Sequence, residues 1–332
     1  VEEVLKHSMS IVIPVYRGES TLPTLVREIA PYFDPFTTPN GHLAWVDELL
    51  LVHDDGPDQS DAVIARLEKE YPQVRALWLS RNFGQHAATI AGLASAGGDW
   101  IITMDEDGQH DPADIPGLLD VAVDSGAHVV YARPTNRPPH SPLRSLSSRM
   151  AKQVMARIGG RRGIDPRLFN SYRLLSGEIG RSVAAYAGAG VYLDVALGWI
   201  TTSAVTAPAT LRLELRAGSG YSYRTLAGHF WTMILSSGTR ALRLVSVLGV
   251  TLATSGIAYA VFLLNARLIG GAFPEGWTSI VVVTLVSSGA VLISLGVMAE
   301  YLGIAVNMAM GKPPYLLLGK RNASHSSAPP SP

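Results

Sequence analysis

The sequence predicts an α/β domain with a largely parallel sheet, followed by a pair of membrane-spanning helices. Three observations lead there. Short apolar runs rich in β-branched residues alternate with helix-period segments from Met9 to Tyr131, the pattern of successive βα units. Polar residues collect where the apolar runs end: Tyr16 and Glu19, Asp54 and Asp55, Arg81, then Asp105 and Asp107. Open α/β sheets bind ligands at that edge, outside the carboxyl ends of their strands. Finally, residues 244–266 and 276–299 carry no charged side chain, and each stretch exceeds the ~20 residues a helix needs to cross the hydrocarbon core.

Taken in order, Met9 to Tyr16 reads as a buried strand ended by Arg17-Gly18-Glu19. Ser20 or Thr21 caps the next helix, with Pro23 in its first turn. Pro31 to Trp45, rich in Pro, Thr and Gly, reads as an exposed loop. A strand over Glu48–His53 ends in Asp54-Asp55-Gly56, a helix covers Ser60 to Tyr71, and a strand covers Val74–Leu79. Arg81-Asn82-Phe83-Gly84 turns into a helix from Gln85 to Ala96. The central strand starts at Trp100, a helix spans roughly Pro112 to Ser125, and His128 to Tyr131 is a further strand. Ser176 to Thr202 reads as helical, with two short strands after it, near Ala204 and Leu211.

The chemistry concentrates in Ile101-Ile-Thr-Met-Asp105-Glu-Asp107-Gly-Gln109-His-Asp-Pro112. Residues i and i+2 of an extended segment share a face, so Asp105 and Asp107 can converge on one cation. A hard divalent ion that also bridges diphosphate oxygens takes such ligands. The plainer alternative is an acidic turn capping the helix near Pro112.

Composition narrows the classes. Acidic and basic residues balance at 27 each, so no global field points to nucleic acid. The chain of 332 residues has no cysteine, which excludes disulfides and thiolate metal sites. Neither G-x-G-x-x-G after the first strand nor G-x-x-x-x-G-K-[ST] occurs, against a dinucleotide oxidoreductase or a P-loop nucleotidase. Arg224, Arg240 and Arg243 precede the first apolar stretch, and Lys312, Lys320 and Arg321 follow the second. That basic excess orients both flanks to the cytoplasm, with the short 267–275 loop outside. The polar residues 1–10 do not resemble a secretory signal. The expected organisation is a cytosolic domain over residues 1–222, an interfacial amphipathic helix over 223–241, a membrane hairpin over 242–302 and a cytosolic tail over 303–332. The helix at 223–241 packs equally well on the soluble domain by pattern alone.

From Arg133 to Arg167 the chain is basic. Lys152 and Arg157 read as a solvated helix face, whereas Arg133 and Arg137, just past a strand end, suit phosphate oxygens. Asp194 lies inside an apolar run, so it is paired or partly exposed.

Together these residues resemble glycosyltransferase family two, and within it the polyisoprenyl-phosphate glycosyltransferases related to dolichyl-phosphate mannose synthase. The matching pieces are Ile13-Pro14-Val15-Tyr16 with Glu19, Asp54-Asp55-Gly56, Arg81-Asn82-Phe83-Gly84, Asp105-Glu-Asp107-Gly-Gln109, Ser171-Tyr-Arg173-Leu-Leu175 and Ser219-Gly-Tyr221-Ser222. Ala299-Glu300-Tyr301-Leu302-Gly303 and Pro314-Tyr315 resemble the family's C-terminal signature. The resemblance implies a GT-A fold, Rossmann-like, binding a nucleoside-diphosphate-sugar, with a UDP-sugar favoured. It implies nucleoside contacts from Pro14, Tyr16, Glu19 and Asp54 or Asp55, with Asp105 beside them, and a place near the phosphates for Arg81. It further implies a Mg²⁺ or Mn²⁺ site at Asp105, Asp107 and Gln109, and donor or acceptor phosphate contacts from Arg133 and Arg216. The chain departs from the family at Pro57 after Gly56, at Ala113 where an acid is usual, and in the short spacing from Arg216 to Ser219.

The implied reaction is inverting transfer of a sugar to a membrane polyprenyl phosphate, by an enzyme integral to the inner or plasma membrane. Relatives suggest a homo-oligomer, with a tetramer as the example. Asp107, Asp165 and Asp194 are the candidate catalytic carboxylates, Asp107 first. Asp165 reads equally as a cap before Pro166, and Asp194 as half of a buried structural pair. Two rival readings are a membrane-tethered nucleotide-sugar sensor and a polysaccharide synthase. The second lacks its expected Q-x-x-R-W element here.

Overall fold

The computed structural model describes residues 6–136, 164–188, 191–212, parts of 245–265, and 276–319. The described residues form one nine-stranded sheet flanked by helices. Its strands are β1 (Lys6–Val15), β2 (Phe36–Thr37), β3 (Leu43–His53), β4 (Val74–Leu79), β5 (Trp100–Thr103), β6 (Val129–Pro134), β7 (Arg173–Ser176), β8 (Ala204–Ala209) and β9 (Leu317–Leu318). They lie in the order β8-β6-β7-β5-β1-β3-β4-β9, with β2 added on β3. β5, β1, β3 and β4 are mutually parallel, so their carboxyl ends share one edge. β7 runs antiparallel to both β5 and β6, which makes the sheet mixed.

Both faces of the sheet are covered. Ile11, Ile13 and Val15 of β1 pack against α1 (Leu22–Ile29), α2 (Ser60–Glu70) and α4 (Ile115–Ser125). Val12 faces the other way, onto α3 (Gln85–Ser95), α5 (Gly177–Tyr186) and α6 (Leu193–Ile200). Alternate side chains of a strand point to opposite faces, and a strand buried on both sides is apolar throughout. The Ile11–Val15 part of β1 reads as a continuous apolar run for that reason.

The expected loop at Pro31–Trp45 contains β2, held antiparallel on Ala44 and Leu43, and the start of β3. The expected single helix from Ser176 to Thr202 is two helices, α5 and α6. Of the two strands expected after it, β8 forms and Leu211 makes an isolated bridge with His110.

α7 (Trp277–Ala309) is 33 residues long, roughly 50 Å at 1.5 Å per residue. Its segment Val286–Val306 is apolar and long enough to span a bilayer, and none of it is buried by protein. It is the one such helix among the described residues. The described residues of 245–265 are helical and mostly exposed, while the interfacial segment 223–241 lies outside the described residues. Beyond α7 the chain returns to the sheet. β9 pairs antiparallel with β4 through Leu317 opposite Leu79, and the Ser80 amide donates to the Leu316 carbonyl at 3.0 Å.

Candidate active site

The loops after β1, β3, β4 and β5 meet at the carboxyl edge of the sheet, and each is fixed by polar contacts to another. The loop after β1 is held by Glu106, whose carboxylate accepts from the Tyr16 and Arg17 amides, each at 3.0 Å. The Gly18 amide donates to Ser60 Oγ at 2.8 Å and the Glu19 amide to Asp58 at 3.1 Å. Glu19 returns the contact by accepting from the Gln59 amide at 3.1 Å. Its carboxylate thus braces the start of α2. Tyr16 is 39% exposed, with the Arg17 guanidinium 5.6 Å from its ring centre. Pro14 is buried inside β1 opposite Val52, so a direct ligand contact from it requires its neighbours to open.

After β3 the two aspartates divide. Asp54 is 3% exposed and accepts from the Phe83 amide at 2.7 Å and the Gly84 amide at 2.8 Å. Burial raises its pKa, and those two amide bonds oppose the rise. It therefore holds the Arg81–Gly84 turn, whereas Asp55 is exposed at a left-handed φ of 48°. Gly56 packs so tightly on the first loop that a Cβ there would come within 1.6 Å of the Tyr16 carbonyl oxygen. Arg81 is exposed, its guanidinium 4.1 Å from the Phe83 ring centre.

The acidic stretch after β5 is a turn. The strand ends at Thr103, Glu106 and Asp107 are turn residues, and Gly108 has φ 75°. Asp105 and Asp107 therefore do not project from one extended face, contrary to the i, i+2 expectation. Asp105 Oδ1 accepts from Gln85 Nε2 at 2.5 Å, and Oδ2 accepts from Ser171 Oγ at 2.6 Å. Its amide donates to Nδ1 of buried His110 at 3.0 Å. That bond assigns the ring proton of neutral His110 to Nε2. The ring stacks on Tyr172 with centres 4.8 Å apart. Asp107 Oδ1 accepts from the Gln109 amide at 3.0 Å, an Asx turn. Asp111 takes the capping role expected of this stretch, accepting from the Ala113 amide at 2.9 Å.

The other two carboxylate candidates are engaged elsewhere. Asp165 caps a short 3₁₀ turn and binds Arg167 Nε through both oxygens, at 3.1 and 3.0 Å. Asp194, on α6, is 2% exposed and ion-paired with Arg173, itself 3% exposed. Asp194 also accepts from the Tyr131 hydroxyl at 2.9 Å. Burial would lower the Arg173 pKa, but the Asp194 charge keeps it raised. Arg173 Nε donates to Thr103 Oγ1 at 3.0 Å, and Thr103 Oγ1 donates to the Ser171 carbonyl at 2.6 Å. The buried pair is thereby wired to the residue that holds Asp105. Arg133 is exposed at the end of β6, and Arg137 and Arg216 lie outside the described residues. Sequence reasoning missed Gln85, Glu106, His110 and Ser171. Glu106, His110 and Ser171 stand in stretches already quoted for other residues, and the only signal for Gln85 was its place directly after the Arg81–Gly84 motif.

Residues 10–190 match the family described as Glycosyl transferase family 2. An undecaprenyl-phosphate 4-deoxy-4-formamido-L-arabinose transferase of Serratia proteamaculans is 32% identical over 325 residues, covering 96% of this chain and 94% of its own. The chain belongs to glycosyl transferase family 2. A transferase of the same name from Photorhabdus laumondii is 29% identical over 313 residues, 93% of each chain. In fold, this family 2 glycosyltransferase is similar to glucosyl-3-phosphoglycerate synthase from Mycobacterium tuberculosis. The TM-score is 0.50 at 16% identity, covering 70% of this chain and 80% of that one.

The residues of this glycosyltransferase can be tested against the divalent ion that its family implies. Asp105, Asp107 and the Gln109 side-chain carbonyl offer oxygen ligands, the set a hard cation prefers. Among the described residues, no three His, Asp or Glu side chains come together around one point. A cation here fits with one or two protein carboxylates and needs further oxygens from outside the chain, the usual arrangement for an ion that rides on substrate phosphates.

Proposed function

We propose that the protein transfers a sugar from a nucleoside-diphosphate-sugar, a UDP-sugar first, to a polyprenyl phosphate at the membrane surface, with inversion. One observation carries the reading. The fixed acidic turn 105–109 stands at the carboxyl edge of the parallel strands, in a chain similar over nearly its whole length to undecaprenyl-phosphate sugar transferases.

On this reading Tyr16, Asp55 and Arg81 receive the nucleotide, supported by their exposure at that edge. Glu19 and Asp54 act one step behind, as braces of the loops that present them. Asp105, Asp107 and Gln109 hold Mg²⁺ or Mn²⁺. When bound, the ion supplies Lewis-acid compensation for charge on the departing nucleoside diphosphate. Arg133, with Arg137 and Arg216, supplies guanidinium forks for phosphate oxygens. The acceptor needs little help from a base, because a phosphate monoester has its second pKa at about 6 and is already a nucleophilic anion at neutral pH. Alignment of the two substrates and exclusion of water carry most of the rate. The bilayer hairpin at 242–302 keeps the cytosolic domain beside a lipid acceptor that never leaves the membrane, and oligomerisation through that hairpin would strengthen the anchoring.

The test is transfer of labelled sugar into organic-extractable lipid. Purified protein receives undecaprenyl phosphate, Mg²⁺ or Mn²⁺ and a panel of UDP- and GDP-sugars. One donor should yield labelled lipid, EDTA should abolish it, and Asp107→Asn should lower turnover roughly 10²-fold or more. Labelled lipid formed equally well in EDTA, or by Asp107→Asn, would overturn the metal-assisted mechanism. No lipid product from any donor would overturn the acceptor.

A further inference from the structure

The turn that carries Asp107 and Gln109 has Gly108 at a left-handed φ and Asp107 closing an Asx turn. Its far side is closed by three residues from a distant part of the chain, Thr210 to Arg212. The Arg212 amide donates to the Gln109 carbonyl at 2.8 Å, and Leu211 bridges to His110. The Thr210 amide donates to Asp114 Oδ2 at 2.8 Å. The Arg212 guanidinium then spans two carboxylates: Nη2 lies 2.5 Å from Asp111 Oδ1 and Nη1 lies 2.7 Å from Glu28 Oε2 on α1. Asp111 belongs to the turn, and Glu28 to a helix whose opposite side is locked in the core by Leu25, Val26 and Ile29.

We propose that Arg212 is a positioning residue for the cation-binding turn, clamping Asp111 to Glu28 so that Asp107 and Gln109 are held ready for the metal. This rests on the metal reading above. A planar guanidinium offers donors in a rigid fork that reaches two carboxylates at once, and a lysine ammonium is a single point on a flexible stem. Without the fork the main-chain hook to Gln109 remains, but the turn loses this tie to α1. The turn then samples conformations in which the two cation ligands are apart, and apparent affinity falls with the competent fraction.

The experiment titrates Mn²⁺ by the loss of its free EPR signal, alone and with UDP or GDP, on wild type, Arg212→Ala, Arg212→Lys and Glu28→Gln. Thermal midpoints are recorded alongside. Arg212→Ala should raise the Mn²⁺ dissociation constant about five- to twenty-fold, with Arg212→Lys and Glu28→Gln between it and wild type. The half-saturating Mn²⁺ in the transfer assay should shift in parallel, while the KM for polyprenyl phosphate stays within about twofold. The guanidinium is a third exposed, so the three variants should melt close to wild type. Unchanged Mn²⁺ binding by Arg212→Ala, beside a wild type that binds, would overturn this proposal alone. So would a rise in acceptor KM with metal affinity intact, which would make Arg212 an acceptor contact. Wild-type protein that binds no Mn²⁺ would overturn the metal reading and this inference with it.

Discussion

Asp194 divides a structural from a catalytic reading more sharply than any other residue. The substitution is Asp194→Asn, which keeps the size and an acceptor for the Tyr131 hydroxyl but removes the charge opposite Arg173. Both partners of that ion pair are nearly inaccessible, so Arg173 is left charged and desolvated. Breaking a buried pair on one side costs about 3–5 kcal/mol. A domain of 150–250 residues loses about 2–4 °C of melting temperature per kcal/mol. The midpoint should therefore fall by roughly 6–20 °C. The assay is a thermal melt of detergent-solubilised protein, with transfer activity read well below the variant's midpoint. The reciprocal control is Arg173→Met with Asp194→Leu, since an apolar pair of similar volume can match or exceed a buried ion pair. The double variant should melt above either single variant, the signature of a coupled pair. An Asp194→Asn protein that melts like wild type yet has lost turnover would refute the structural assignment and restore Asp194 as a group at the reaction centre.

Two further outcomes follow from the fixed loops and from the amino edge of the sheet. Gly56→Ala forces a Cβ to within 1.6 Å of the Tyr16 carbonyl oxygen, so the loop after β1 must move. Overpacking of this kind costs about 1–3 kcal/mol, and because the displaced loop carries Tyr16, donor KM should rise; an unchanged donor KM would argue against that loop as a nucleotide contact. His7 has its pKa lowered below 6.5, by burial first and by His42 second, against the opposing pull of Asp99. The folded chain then binds fewer protons than the unfolded one between the lowered pKa and 6.5. Stability should rise with pH through that interval and be lost as pH falls from 6.5 into it. Melting midpoints from about pH 5 to 8 should slope less steeply in His7→Gln than in wild type, and equal slopes would remove His7 as a source of the dependence.

Much of the fold was legible because burial on both faces writes itself into composition. β1, β3, β4 and β5 are short apolar runs, and their parallel order follows from the helices between them. β2 and β9 were not legible. Each is two residues long, too short to show a period, and each exists because a neighbouring strand offers an unpaired edge. The break between α5 and α6 was hidden by the apolar, small-residue sequence that runs through both. In the site, the acidic residues were legible as a cluster and their division of labour was not. Asp54 and Asp55 are adjacent and identical, yet one is sealed under two amides and the other is exposed. Only the distant Phe83 and Gly84 decide which is which.

The same division explains how a turn of seven residues can be half-open to solvent and still fixed. Glu106 reaches back to the loop after β1, Asp105 reaches sideways to α3 and to Ser171, and Asp111 reaches through Arg212 to α1. Each contact uses a different element of the sheet's surroundings, so losing one loosens one side of the turn and leaves the others in place. A carboxylate at a protein surface ordinarily has freedom to rotate, and ordering it on ligand arrival costs entropy. Here the neighbours impose that order during folding. On the proposed reading, Asp105 is then fixed before the donor arrives, and binding energy that would have gone into ordering remains for the transition state. On the proposed reading, Arg212 and Arg173 should affect the transfer through the geometry of the turn rather than through contact with substrate.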